Sequence, residues 1–326
     1  ARLQASGNQE TISARLQLPE FKYQAEIDIS NERPEFGASH LVVGRGAFRV
    51  SPIVGHSAVV RRDNFDLDQW LELFLGPVTG PQPLVSELDV PKIPVPESVK
   101  VESKALTLAG VEWHDVDFSA RKKSLGWKME VEGAEISGQA SYLEPYDLTV
   151  SLDRLQLYIP GLDESTDPEP LALDDEKPQP LIRPFDRVFH DAVPNLTLAI
   201  NDFWLQGYKI GKVNVDFLRQ GDRLEWKNIS FSSGDNKFKA SGWWMLKENQ
   251  SRSKFKMSMS GKNNTEVMER FGITSGIQKA PFDVETDLEW NGAPWLPQMT
   301  SMNGTISSKL GKGVISDVSG AARLLG

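Results

Sequence analysis

The stretch FDVETDLEW, residues 282–290, alternates acidic residues with residues that are mostly apolar. Because the side chains of a β-strand point alternately to opposite faces of the sheet, a strand here has one apolar face, which ends in Trp290, and one anionic face. The residues that follow, NGAPW at 291–295, are typical of a turn. The segment therefore predicts a two-faced strand, and whatever covers its apolar face decides what the protein does.

Period-two alternation extends through much of the chain. Examples are LTLAI at 196–200, VNVDF at 213–217 and FKMSMS at 255–260. Short turn sequences, such as NG at 303–304, separate these segments. Several short strands joined by tight turns predict an antiparallel sheet whose neighbouring strands follow one another along the chain.

Helical spacing is convincing in only two segments, residues 66–75 and residues 264–271. In the first, Asp66 is a suitable N-cap and Gln69 completes a capping box. Two helices of this length are too short to cover the faces of so many strands. The sequence therefore predicts a mainly all-β fold with two or three short helices.

The composition excludes several classes of function. A net charge of −9 argues against nucleic acid as a partner, since nucleic-acid binding favours a basic stripe. The chain has no cysteine, which excludes disulfides and thiolate metal sites. The histidines His40, His56, His114 and His190 are scattered without metal-ligand spacing. We therefore expect neither a metal nor a cofactor.

The acidic row of residues 283–289 is the strongest hint of catalysis, and it is weak. Alternate residues on one strand face stand about 7 Å apart. A glycosidase needs two carboxyl groups that flank the scissile bond, with one in an apolar pocket that raises its pKa. Four acids in one row repel one another and require water, which is typical of a solvated outer face. We therefore expect a protein that is not an enzyme.

The apolar faces carry more information, because most of the nine tryptophans lie in alternating segments. One explanation is a β-sandwich, in which the apolar faces of two sheets pack together. The other is an open groove that holds apolar ligands. Periodicity does not choose between them, since both need apolar side chains inside and polar side chains outside.

An ordered set of motifs from residue 194 onward resembles a known family. The set is a strand, a glycine, a paired strand, a short helix ended by glycine, and a strand that ends in Trp-x-Gly-x-Pro. A strand with Asn-Gly-x-Ile and a Gly-Val turn follow. The residues concerned are Trp290, Gly292, Pro294, Asn303, Gly304, Ile306, Gly313 and Val314. The order resembles the AsmA-like C-terminal region of YhdP-type proteins, and residues 40–75 match more loosely.

The resemblance implies a fold and a function. YhdP-type proteins are long proteins of Gram-negative bacteria, anchored in the inner membrane and extending through the periplasm. The implied fold is an elongated, curved antiparallel β-groove, U-shaped with an apolar lumen. The implied function is non-enzymatic transport of phospholipid, with the acyl chains in the groove, between the inner and outer membranes. Other envelope proteins are implied as further partners. We expect this chain to be an internal or C-terminal piece of such a protein.

A diverged internal repeat predicts the domain organisation. LTLAGVEWHDVDF at 106–118 resembles WLQGYKIGKVNVDF at 204–217, and a strand containing Trp follows each. The predicted units are 1–98 with the helix 66–75 and a Pro-rich connector 76–97, 99–195 with an acidic Pro-rich loop 160–184, and 196–326 with the helix 264–271.

The predicted groove lining consists of alternating apolar residues of the C-terminal strands. They are Leu198, Ile200, Val213, Val215, Leu224, Trp226, Phe238, Phe255, Met257, Phe282, Val284, Leu288 and Trp290. The alternative function is a periplasmic scaffold or outer-membrane assembly factor with a closed β-sandwich core, which would bind no lipid.

Overall fold

The chain forms two compact units in a computed structural model. Unit 1 contains residues 1–144 and 153–160, and unit 2 contains residues 145–152 and 161–326. The predicted division into three units, 1–98, 99–195 and 196–326, stays a prediction. The structure describes residues 2–8, 10–30, 34–50, 52–69, 94–108, 110–158, 181–265 and 277–315.

Unit 1 is one continuous sheet in which each strand pairs with the next along the chain. Its strands are β1 (Arg2–Gly7), β2 (Thr11–Gln17), β3 (Phe21–Asp28), β4 (Glu35–Gly44), β5 (His56–Asp66), β6 (Ser98–Leu108), β7 (Val111–Lys123), β8 (Gly126–Glu132) and β9 (Ile136–Leu143). A further strand, β10 (Asp147–Leu157), contains the boundary between the units.

Two pairs of neighbouring strands in unit 1 are parallel, namely β4 with β5 and β5 with β6. A parallel pair needs a long crossover connection, whereas an antiparallel pair needs only a tight turn. Residues 45–55 and 67–97 provide these connections. The alternation of side chains is the same in both arrangements, so the sequence pattern predicted the strands without revealing the parallel steps.

Unit 2 contains a continuous run of paired strands in which all neighbouring strands are antiparallel. Its strands are β11 (Asn195–Leu205), β12 (Tyr208–Gln220), β13 (Arg223–Ser233), β14 (Asn236–Lys247), β15 (Gln250–Gly261), β17 (Phe282–Asn291) and β18 (Asn303–Leu310). A separate small sheet pairs β16 (Ile277–Gln278) with β19 (Val314–Ile315).

Tight turns of related geometry occur in both members of the internal repeat. Gln206 and Gly207 connect β11 to β12, and both have positive φ angles, 49° and 77°. Two such residues are characteristic of the two-residue hairpin turn that suits the twist of the sheet. Gly110, at the corresponding place between β6 and β7, has a φ of 71°. The repeat therefore corresponds to a repeated hairpin.

Irregularities in neighbouring strands bend both sheets. In unit 1, Val60 and Phe65 belong to the same apolar cluster, although residues five apart in a regular strand point to opposite faces. Asp115 in β7 has a φ of 51°. In unit 2 the register shifts after Ile200 in β11 and after Asp216 in β12. Because bulges bend strands, each sheet is curved, and the predicted all-β groove class is confirmed.

The helices differ in part from the prediction. Residues 67–69 are helical, and the Gln69 amide N–H donates to the Asp66 carboxylate at 3.0 Å, as expected for the predicted N-cap. Residues 264–265 are helical too. Residues 70–75 and 266–271 of the predicted helices lie outside the described residues, as does most of the acidic loop 160–184.

A helix that the sequence analysis did not predict, α1 (Pro184–Ala192), precedes β11. Pro184 occupies its first turn, and the Asp186 carboxylate accepts a hydrogen bond from the Arg183 amide at 2.8 Å. Proline and an acidic residue at these positions are known start signals. The prediction missed the helix because Pro184 ends the acidic, Pro-rich stretch 160–184, whose composition is typical of a loop.

Candidate functional site

The apolar face of unit 2 is the side of its sheet on which alternate apolar residues of neighbouring strands lie next to one another. The register shows this directly, since each residue in a row is the cross-strand partner of the next. One such row consists of Leu198, Val215, Ile229, Ala240, Met257, Thr286 and Ile306.

The register places the predicted lining residues on this one face. A second row consists of Ile200, Val213, Phe231, Phe238, Met259 and Val284. Trp226 contacts Phe255 with ring centroids 5.4 Å apart, and Phe255 stacks on Trp290 at 5.7 Å. Leu224, Phe282 and Leu288 complete the set on the same face. Their role in holding a ligand stays a prediction.

Burial differs greatly across this face. Leu224 and Trp244 have 0% of their surface exposed, and Trp290 is buried as well. Ile306, on β18, is 68% exposed. The face therefore has a dry region around Trp244 and an open region towards β18.

Helix α1 covers the dry region. Its Phe189 ring contacts Trp295 edge-on at 5.0 Å, and Trp295 contacts Trp244 edge-on at 5.1 Å. His190 packs against Trp244 at 5.2 Å. Such edge-to-face pairs stabilise beyond their buried area. We call Phe189, His190, Trp244 and Trp295 the aromatic cluster of unit 2.

Polar contacts fix α1 in this position. The Asp186 carboxylate is 1% exposed and accepts a hydrogen bond from the Trp295 indole N–H at 3.0 Å. The Arg219 guanidinium, on β12, donates to the Val193 carbonyl at 3.0 Å and also to the His190 carbonyl. These contacts satisfy a buried carboxylate and the carbonyls at the end of the helix, groups that are costly to leave without partners.

The NGAPW turn positions Trp295. Gly292 has a φ of 109°, and a Cβ there would lie 2.5 Å from the Leu296 carbonyl oxygen, so only glycine fits. The Trp290 indole donates to the Ala293 carbonyl at 3.1 Å. The turn that follows the FDVETDLEW strand thus places Trp295 over the dry region. The turn was predictable from the sequence, whereas its contact with a helix was not.

Unit 1 contains a cavity of about 390 Å³ that the sequence analysis missed. Ligand pockets commonly start at about 300 Å³, and a much smaller apolar cavity already stays dry and binds an apolar ligand. Within the described part of the chain its lining is wholly apolar. The lining residues are Leu41, Val43, Val60, Phe65, Leu67, Val99, Val101, Leu106, Leu108, Trp113, Val116, Phe118, Val131 and Ile136.

The outer face of unit 2, opposite its apolar face, carries charges of both signs. Arg252 forms an ion pair with Glu289, and the Lys254 and Lys256 ammonium groups lie 3.8 and 3.6 Å from the Asp287 carboxylate. The sequence of β17 alone predicts that the acids of its outer face repel one another. The alternating basic residues of β15 offset that repulsion, because they stand on the neighbouring strand.

The comparisons with known proteins identify the family of this chain. The family model described as "YhdP protein" matches residues 1–326. The chain belongs to the YhdP family. "Intermembrane phospholipid transporter YhdP" of Escherichia coli (strain K12) is 24% identical over 223 residues, which cover 68% of this chain and 17% of that protein. The match thus spans less than a fifth of the relative's length. No solved structure matches the chain.

The histidine with the most acidic surroundings is His114. Its Nδ1 lies 2.8 Å from the Glu135 carboxylate and its Nε2 lies 2.9 Å from the Glu112 carboxylate. The hydrogen bond and charge of Glu135, aided by Glu112, raise the pKa of His114.

Among the described residues, no group of His, Cys, Asp and Glu has the arrangement of a metal site. The described helices include none with the length and apolar character needed to span a membrane.

Proposed function

We propose that this chain is a lipid-holding segment of an intermembrane phospholipid transporter and acts without catalysis. The cavity of unit 1 is the observation that carries the proposal. It offers about 390 Å³ lined by apolar side chains, a surface complementary to an acyl chain. The apolar face of unit 2 supports the same proposal, because its rows of apolar side chains continue across neighbouring strands. Family membership and the printed function of the E. coli relative add to it.

The physical basis is partition between water and an apolar surface. Burying one methylene group is worth about 0.8 kcal/mol, so an acyl chain is held well by an apolar face that contacts much of its length. The headgroup stays in water beside the polar side of the sheet. An acyl chain that moves from one row of apolar residues to the next exchanges equivalent contacts, so its sliding has a low barrier. No covalent bond changes in this process.

The setting of this activity also belongs to the proposal. We infer a periplasmic location, in a parent protein that is anchored to the inner membrane and bridges to the outer membrane. The family and the relative support this setting, and the chain matches only 17% of that relative. The groove lining at Leu198, Phe255, Val284 and the other predicted residues also belongs to the proposal, supported by their position on one face of the sheet.

Native mass spectrometry of the gently purified chain, mixed with phospholipid vesicles, tests the proposal. We expect phospholipid to remain bound to the wild type. Val284→Asp places a charge on the apolar face of unit 2 and should lower lipid occupancy there severalfold. Ser230→Asp is the matched control, because Ser230 lies on the outer face opposite Lys239 and should leave occupancy unchanged.

The possible outcomes separate the parts of the proposal. A wild-type chain that binds no lipid would contradict lipid transport and favour the scaffold alternative. Undiminished occupancy in folded Val284→Asp would reject the lining role of unit 2. In that case Val99→Asp, which places a charge at the cavity of unit 1, decides whether the bound lipid occupies unit 1.

A further inference from the structure

We propose that α1 is a displaceable stopper, which ends the lipid-holding part of unit 2 by occupying the apolar surface around Leu224 and Trp244. The inference rests on the proposed function and adds regulation to the same face. In the described structure an acyl chain has access to the open region near Met257, whereas α1 covers the dry region.

Helix α1 covers the apolar surface around Trp244 with apolar side chains, as a bound acyl chain would. Ile182, Phe189 and Val193, in and beside α1, pack against the buried cluster that contains Leu224 and Trp244. These side chains remove the same surface from water that an acyl chain would cover. The two covers are therefore mutually exclusive, and α1 competes with lipid for this part of the face.

The way α1 is held makes it separable from the sheet. The helix has nine residues, and isolated helices shorter than about 12–15 residues are marginal in water, so α1 depends on its docking contacts. Those contacts come from side chains, such as Arg187 to the Glu248 carbonyl at 2.6 Å. The strands beneath it pair with one another. Moving α1 therefore leaves the backbone hydrogen bonds of the sheet intact.

Lipid is a suitable ligand to drive this movement. Lifting α1 in water exposes Trp244 and Leu224, which is unfavourable because their apolar surface returns to water. An acyl chain that advances along the face covers the same surface and removes most of this cost. A ligand that interacts with only one of two states shifts the population towards that state. An acyl chain that extends onto the surface around Trp244 should therefore lower the cost of displacing α1, while the polar contacts of Asp186 and Arg219 keep the helix docked in the wild type.

Asp186→Ala is the variant that weakens the stopper. It removes the buried carboxylate that accepts hydrogen bonds from the Trp295 indole and the Arg183 amide. Asp191→Ala is the matched control, since the same substitution on the same helix changes a side chain that is 81% exposed. The Asp186 variant should release α1, and the Asp191 variant should not.

Photo-crosslinking measures which region the lipid reaches. Each protein is loaded from vesicles containing a phosphatidylcholine with a diazirine in its acyl chain, irradiated, digested and mapped by mass spectrometry. We expect wild type and Asp191→Ala to be labelled near Met257 and Met259, with little label at Leu224 and Trp244. In Asp186→Ala the label at Leu224 and Trp244 should rise at least fivefold.

A tether provides the reverse test. The chain has no cysteine, so Arg187→Cys with Glu248→Cys introduces the only two thiols. A short bis-maleimide should join them and fix α1 to the β14–β15 turn. Tethering in the Asp186→Ala background should return the label at Leu224 and Trp244 to the wild-type level.

The outcomes distinguish the stopper from the transport function. Absence of label on the wild-type chain would contradict the proposed function itself. Equal labelling of the two regions in the wild type would overturn the stopper while leaving lipid binding intact. If both the Asp186→Ala map and an Arg187→Ala map match the wild type, α1 is a fixed part of the fold and the displacement is refuted.

Discussion

The cavity of unit 1 and the aromatic cluster of unit 2 lie on the same kind of surface, which is open in one unit and covered in the other. Both lie on the apolar face of a bent sheet. In unit 1 the described side chains surround an apolar space of about 390 Å³. In unit 2 the rings of Phe189 and Trp295 close over Trp244. The difference teaches that the sheet alone does not determine ligand access, because among the described residues a helix and a turn cover the face of unit 2 and no such segment covers that of unit 1.

Removing the centre of the aromatic cluster should have the largest effect. Trp244→Ala leaves a cavity under α1, and truncation of a buried Trp costs about 3–5 kcal/mol. The indole N–H also donates to the Ser251 hydroxyl at 2.8 Å, which loses this partner. Urea unfolding, followed by hydrogen exchange of the β13 and β14 peptides, measures the loss in unit 2.

The neighbouring residue provides the control. Trp243 lies on the outer face, with the Arg223 guanidinium 4.7 Å from its ring centroid. An exposed cation–π contact is worth about 0.5–1 kcal/mol. Trp243→Ala should therefore cost about 1 kcal/mol. Equal losses for the two variants would show that α1 does not seal the apolar face of unit 2.

Filling the cavity of unit 1 should have the next largest effect, and with the opposite sign to the same change in unit 2. Val131 lines the cavity and pairs with Gly138, which leaves room for a larger side chain. Val131→Phe should stabilise the lipid-free chain by about 0.5–2 kcal/mol and lower lipid occupancy. Val215→Phe, against the packed cluster of unit 2, should cost about 1–3 kcal/mol through overpacking. Thermal unfolding and native mass spectrometry measure both.

A destabilised Val131→Phe chain would mean that the cavity is not available space. Destabilisation by neither variant would mean that the two units are equally loosely packed. Either result would remove the contrast between the units.

The sequence correctly predicted the structure wherever the alternation of side chains alone decides which face a residue occupies. The apolar face of unit 2 could be predicted, because period two assigns each side chain of β15 and β17 to a face without knowledge of its partners. The cavity of unit 1 could not, because Val60 and Phe65 share a face only through an irregularity between them. Alternation read across that irregularity assigns Phe65 to the wrong side.

The aromatic cluster could not be predicted from the sequence for a different reason. Asp186 and Trp295 are 109 residues apart, and their hydrogen bond depends on where the whole sheet brings the NGAPW turn. Local signals for α1 were present in Pro184 and Asp186. No local signal indicates that α1 docks on the apolar face rather than in water.

Acid should weaken unit 1 through His40. Burial, reinforced by the charges of Arg49 and Arg61, lowers the pKa of His40 from its ordinary 6.5 to about 4. Between these two pH values the unfolded chain binds more protons than the folded chain, so stability falls as the pH drops from about 6.5 to about 4. Each unit of pKa shift is worth about 1.4 kcal/mol, and relaxation around the charged ring recovers part of it. We expect a loss of about 1–2 kcal/mol.

Urea midpoints at pH 7 and pH 4.5 measure this loss, with hydrogen exchange to assign it to unit 1. His40→Gln keeps a polar partner for the Ser57 hydroxyl, which lies 2.8 Å from the histidine Nδ1, and removes the titration. The variant should lose less stability on acidification than the wild type. An unchanged difference between the two pH values would show that His40 does not cause the acid sensitivity.

The smallest effect should come from the outer face, where the charges meet water. Asp287→Asn removes a carboxylate that lies 3.8 Å from the Lys254 ammonium and 3.6 Å from the Lys256 ammonium. Partly exposed ion pairs are worth about 0–1 kcal/mol and are screened by salt. We expect a loss below about 1 kcal/mol at low ionic strength that disappears in 1 M NaCl, measured by urea unfolding.

Leu288→Asn, one residue along on the apolar face, should cost more and show no such salt dependence, because its effect comes from a polar group placed on an apolar surface. Similar, salt-insensitive losses for both would mean that the two faces of β17 do not differ in solvation, which is the property that the alternation of FDVETDLEW predicts.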